Sequence, residues 1–84
     1  MNEEVMLLNE KMSKRGFRLY KLTDNVIEWY MPTGLTILQA WIYKIGQNDY
    51  IGYDNANGNF SATTFQEAAT RLLQRLENIT EESE

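Results

Sequence analysis

Apolar positions recur along this chain with two periods, one helical and one alternating. Near the start, Val5, Leu8 and Met12 fall at helical spacing, and Met6 and Leu7 widen the stripe. This predicts a helix over 3–15. Asn2 stands where an N-cap belongs. Glu3 and Glu4 sit in the first turn and Lys14 and Arg15 in the last, each at the end of the helix dipole that favours its charge. Gly16 suits a left-handed cap, after which Phe17 packs back onto Met12.

The period then changes to two. Residues 17–22 read as a strand with Phe17, Leu19 and Lys21 on one face and Arg18, Tyr20 and Leu22 on the other. Thr23-Asp24-Asn25 is a turn cluster. A second strand over 26–31 sets Ile27, Trp29 and Met31 against Val26, Glu28 and Tyr30. Pro32-Thr33-Gly34 reads as a turn with proline at its first central position. A third strand over 35–45 sets Leu38, Ala40 and Ile42 against Ile37, Gln39, Trp41 and Tyr43. Gly46-Gln47-Asn48-Asp49 turns the chain into a short strand at Tyr50 to Tyr53. Asn57-Gly58 signals a hairpin from which a brief extended stretch at 60–62 pairs back.

A second helix follows. Thr64-Phe65-Gln66-Glu67 fits a capping box. Phe65, Ala68, Ala69, Leu72, Leu73, Leu76 and Ile79 form one apolar stripe, and Glu67 with Arg71 makes an i, i+4 pair at its edge. The strand connections are short and turn-rich, which implies antiparallel pairing. The expected fold is α+β: a two-layer sandwich of a three- or four-stranded antiparallel sheet, with an N-terminal and a C-terminal helix on one face. Residues 1–79 form a single domain and 80–84 a frayed acidic tail.

Charge changes this picture in one place. The formal net charge is −4, but Glu81, Glu82 and Glu84 carry most of it, so the body is near neutral. Five of the eight basic residues, Lys11, Lys14, Arg15, Arg18 and Lys21, fall in a window with no acid. They could touch the phosphates of a nucleic acid. The simpler alternative is that Lys14 and Arg15 complement the helix dipole while Arg18 and Lys21 occupy solvent positions. Their opposite strand parity places Arg18 and Lys21 on different faces.

The residue types narrow the chemistry. There is no histidine and no cysteine, so transition-metal sites lack their usual ligands and the common nucleophile–histidine pairs cannot form. No phosphate-binding Gly-rich loop with a lysine occurs. The carboxylates Asp24, Glu28, Asp49 and Asp54 are the acid–base candidates, and all but Glu28 lie in turns. The stretch from Asp54 to Asn59 lacks a carboxylate at the twelfth position of a calcium loop and reads as a hairpin. Neither a metal nor a cofactor is expected. No apolar run approaches the roughly 18–20 residues that span a bilayer, and the acidic start Met1-Asn2-Glu3-Glu4 is unlike a signal peptide. With no cysteine for disulfide staples, the expected location is the cytoplasm.

Aromatic residues supply the other candidate site. Tyr30, Trp41, Tyr43 and Tyr53, with Tyr20 beside them, fall on strand positions opposite the expected core. Two helices cover one sheet face, so the other is at least partly open. Rings on an open face can lie flat as cross-strand pairs, meet a protein partner or a second copy of the chain, or stack unpaired bases.

The order helix, strands, helix resembles that of double-stranded-RNA-binding domains, and Ala68-Ala69-Thr70-Arg71-Leu72-Leu73 looks like their closing helix. The resemblance implies lysines gripping phosphates at the start of that helix. Here those positions hold Thr63, Thr64, Phe65 and Gln66, so the clamp is missing. The ending Thr64 to Leu76 also looks like that of small antitoxin-type domains.

The expected function is that of a small non-enzymatic protein-binding module. It would be a regulator or inhibitor, of a kind that suits a phage or mobile element, masking a partner surface through Tyr30, Trp41, Tyr43 and Tyr53. The alternative is a nucleic-acid-binding module using Lys11, Lys14, Arg15, Arg18 and Lys21 with the aromatic face.

Overall fold

The computed structural model describes residues 2–34 and 36–82, with side chains as far as Glu77. Met1, Leu35, Ser83 and Glu84 therefore lie outside the described residues, and Ile79 outside the described side chains. The elements are α1 (Glu3–Lys14), β1 (Arg18–Leu22), β2 (Val26–Pro32), β3 (Ile37–Gly46), β4 (Asp49–Asp54), β5 (Gly58–Ala62) and α2 (Phe65–Glu82). The fold is α+β, and its sheet is an antiparallel meander in the order β1-β2-β3-β4-β5. The fifth strand exceeds the three or four expected. It runs the full length of its hairpin, Tyr50 opposite Ala62 and Asp54 opposite Gly58, where only 60–62 was expected to pair.

Local signals close most of the connections. The N–H of Val5 donates to Asn2 Oδ1 (2.8 Å), capping α1. At its other end the Phe17 N–H donates to Met12 O and the Gly16 N–H to Ser13 O, with Gly16 at φ +94°. This is a Schellman closure, and Phe17 and Met12 are both buried beside it. Thr64 Oγ1 accepts from the Glu67 N–H (3.0 Å). That is half of the expected box; the Glu67 carboxylate accepts from the Thr63 hydroxyl (3.4 Å) in place of the Thr64 N–H. Pro32 is the last residue of β2, opposite Ile37. Beyond it the Thr33 N–H donates to Thr36 O (2.8 Å).

An odd number of antiparallel strands has a consequence for the helix layer. β1 and β5 run the same way, and each helix runs back over its neighbouring strand, so α1 and α2 are parallel. Glu4 and Gln66, Leu8 and Ala69, and Lys11 and Leu73 line one groove between them. Arg15 meets Glu77 at their C-terminal ends (3.1 Å). Four strands would have made the helices antiparallel.

The core lies between the sheet and this helix layer. Leu8 and Met12 of α1 and Ala68, Leu72 and Leu76 of α2 pack on Ile27, Trp29, Ala40, Ile42, Phe60 and Ala62. Trp29 sits at the centre with its ring buried, and its Nε1–H donates to Asn9 Oδ1 of α1 (3.0 Å). Met6 and Leu7, expected to widen the α1 stripe, are exposed instead. The core takes only the Val5–Leu8–Met12 edge of that helix.

β1 departs from simple alternation. Arg18 is opposite Tyr30 and Leu19 opposite Trp29, but Lys21 is then opposite Glu28 and Leu22 opposite Ile27. Tyr20 is an inserted residue, a β-bulge. One extra residue reverses strand parity, so Lys21 moves to the outer face and Leu22 to the helix side. Arg18 and Lys21 therefore share a face, against the expectation from alternation.

Candidate functional site

Both helices lie on one side of the sheet, and the register places the candidate side chains on the other. Glu28, Trp41, Tyr53 and Asn59 form one row across the strands, with Lys21 at its β1 end. Arg18, Tyr30 and Gln39 form the row on one side; Val26, Tyr43, Ile51 and Ser61 form the row on the other. Alternation along β2, β3 and β4 makes this face, because Trp29, Ala40 and Ile42 are claimed by the core.

The rings are ordered against one another. Trp41 stacks on Tyr53, with centroids 4.8 Å apart and planes 14° apart. Tyr43 leans on the other side of Trp41 at 4.2 Å and 39°. Tyr20 and Tyr30 meet edge to face at 6.1 Å and 89°. Between these two groups runs a groove of about 470 Å³ lined by Tyr20, Glu28, Tyr30, Ile37, Gln39 and Trp41. The bulge throws Tyr20 outward as one wall, and it is 72% exposed.

Glu28, an acid–base candidate by sequence, is occupied on this face. The Tyr43 hydroxyl donates to Glu28 Oε1 at 2.6 Å. That hydrogen bond, then burial, then the carboxylate charge push the Tyr43 phenol above its ordinary value of 10.0. A raised folded value means that this contribution to stability is present below about pH 10 and lost as pH rises through the folded value. Following the Tyr43 ring carbon by NMR should show late titration, moving back toward the ordinary value in Glu28→Ala. A titration indifferent to that substitution would rule the contact out as the cause.

The basic window divides. Arg18 and Lys21 join the aromatic face. Lys11 and Lys14 are exposed on α1, across the sheet from it. Arg15 donates to Lys11 O (3.2 Å) and to Glu77 (3.1 Å), bridging the two helices. Of the remaining sequence candidates Asp24 lies in the β1–β2 turn as expected, whereas Asp49 and Asp54, expected in turns, are the first and last residues of β4. Asp24 and Asp49 are exposed. Asp54 is buried, and its Oδ1 accepts from the Ala56 and Asn57 N–H groups (3.1 and 2.7 Å), fastening the β4–β5 hairpin. Its Oδ2 lies 3.7 Å from the Arg75 guanidinium.

One cluster was not legible as a unit. Arg71 and Arg75 set their guanidiniums 4.6 and 4.5 Å from the centre of the Phe60 ring. They also donate to Ser61 O and Gly58 O. Their i, i+4 spacing on the strand-facing side of α2 was the available signal; that Phe60 lies between them depends on the β5 register. Thr63 and Thr64, at the phosphate-clamp positions of the double-stranded-RNA-binding resemblance, are engaged in capping α2.

Among the described residues no group of three or more metal-ligating side chains occurs, and no helix is long and apolar enough to cross a membrane. No family model, curated protein or solved structure matches this chain.

Proposed function

We propose that this chain is a non-enzymatic protein-binding module of the cytoplasm, a regulator or inhibitor that masks a partner's surface with its outer sheet face. One observation carries the reading: Tyr20, Tyr30, Trp41, Tyr43 and Tyr53 gather on the face that neither helix covers. Tyrosine and tryptophan offer large apolar area with a polar tip and few rotatable bonds, and they dominate protein interfaces for that reason. The rings support one another, so little further order is lost when a partner arrives.

Alanine at Trp41 and Tyr43 together should weaken partner capture at least ~100-fold, since central aromatic anchors are worth about 2 kcal/mol or more each. The far-UV circular dichroism of the variant should be unchanged. Tyr20→Ala, which removes an exposed ring from the groove wall, should weaken capture without touching the core. Full capture by both variants would sink the reading.

A nucleic-acid reading keeps one argument. The bulge places Arg18 and Lys21 on the aromatic face, where bases could stack and phosphates be met. Its signature is a steep loss of affinity with salt, abolished when Arg18 and Lys21 become glutamate.

A further inference from the structure

We propose that the outer face takes an acidic segment of a protein partner, seating one apolar side chain in the groove between Tyr20 and Trp41 and presenting carboxylates to Arg18 and Lys21. This rests on the protein-binding reading and specifies its ligand.

The charge pattern is the first argument. Arg18 and Lys21 lie on the same side of β1 because Tyr20 is inserted between them. Neither is in an ion pair among the described residues. The described acid nearest to them on this face is Glu28, opposite Lys21, and its Oε1 already receives the Tyr43 hydroxyl. Arg18 and Lys21 thus stand along the β1 wall of the groove on either side of Tyr20, and one carboxylate, Glu28, faces the two of them across the strands. A partner supplying carboxylates there meets complementary charge, which sets register and discriminates among partners.

The groove is the second. At about 470 Å³ it has room for one or two large side chains. Its walls are Tyr20 on β1 and Ile37, Gln39 and Trp41 on β3, with Tyr30 of β2 between them, so it follows the strand direction. An extended segment laid along it would place neighbouring residues beside Arg18 and Lys21.

Two other occupants fit less well. A second copy packed face to face about a twofold axis parallel to the strands sets β1 over the other copy's β5, where Asn59 and Ser61 carry no charge. An axis perpendicular to the strands sets β1 over β1, like charge on like. A nucleic-acid strand brings a phosphate with every nucleotide, yet the basic side chains beside this groove are these two.

The test uses the full chain, labelled for NMR and titrated with four probes. Three are capped eight-residue peptides with a central leucine or phenylalanine, flanked by glutamate and aspartate, by glutamine, or by lysine; the fourth is an eight-residue oligothymidylate. The acidic peptides should shift the Trp41 indole N–H and the Arg18–Lys21 amides saturably. Arg18→Glu with Lys21→Glu should weaken them roughly tenfold and improve binding of the lysine peptides. Glutamine or lysine peptides binding the native face as tightly would overturn the acidic preference while leaving a protein-binding surface. Oligothymidylate alone shifting these resonances would overturn both readings. No response to any probe would also reject the acidic ligand. The same shifts arising as free protein is concentrated would seat a second copy there and overturn the proposal.

Discussion

Trp29→Ala is expected to cost about 3–5 kcal/mol of folding free energy, the range for deleting a buried aromatic from a packed core. Trp29 is 1% exposed and stands among the largest buried side chains. Helix, sheet and polar contact meet at it, because its Nε1–H donates to Asn9 Oδ1 across the α1–β2 interface. Its removal empties the middle of a two-layer core and leaves Asn9 without its donor. Small domains are stable by only about 5–15 kcal/mol, so the variant should be partly unfolded at 37 °C. Urea denaturation followed by circular dichroism measures the loss. Trp29→Phe keeps most of the ring and should lose clearly less. A loss below about 1 kcal/mol for the alanine variant would mean that Trp29 is not central to the core.

Gly52→Ala is expected to destabilise by about 1–3 kcal/mol, as overpacking does. A Cβ built at Gly52 would run into Cζ, Cε1 and Cε2 of the Phe60 ring. Gly52 and Phe60 are cross-strand partners, so the ring lies over the bare glycine as a lid. It has little room to yield, since the Arg71 and Arg75 guanidiniums lie against it. The sign should reverse in a Phe60→Ala background. Without the ring the three atoms nearest to that Cβ are gone, and alanine at 52 should stabilise by about 0.5–1 kcal/mol through lower backbone entropy in the unfolded chain. Equal effects of Gly52→Ala in the two backgrounds would refute the lid.

That lid shows where sequence reasoning stopped. Glycine inside a strand signals a close approach, but what approaches depends on the β4–β5 register. The fifth strand was under-read for a related reason. Phe60 and Ala62 alternate with Asn59 and Ser61 as a strand should, yet these residues have weak strand preference apart from phenylalanine. The helices were legible because stripe, cap and terminal charge agreed at Asn2, Gly16 and Thr64.

The bulge at Tyr20 was the costliest omission for function. Strict alternation placed Arg18 and Lys21 on different faces. The available signal was the spacing of apolar residues: Phe17 and Leu19 are two apart, but Leu22 follows after three. A strand that keeps all of them toward its helices must insert a residue. That insertion unites two cations with an aromatic face that alternation in β2 and β3 had already assembled from Tyr30, Trp41 and Tyr43.

Hydroxyl-radical footprinting of the chain, free and bound to its captured partner, tests the central claim most directly. The account predicts protection of Tyr20, Trp41 and Tyr53 on binding, with Met6 and Leu7 of the helix layer, both exposed, modified as in the free chain. Protection of Met6 and Leu7 with the outer aromatics unchanged would place the partner on the helices and contradict it.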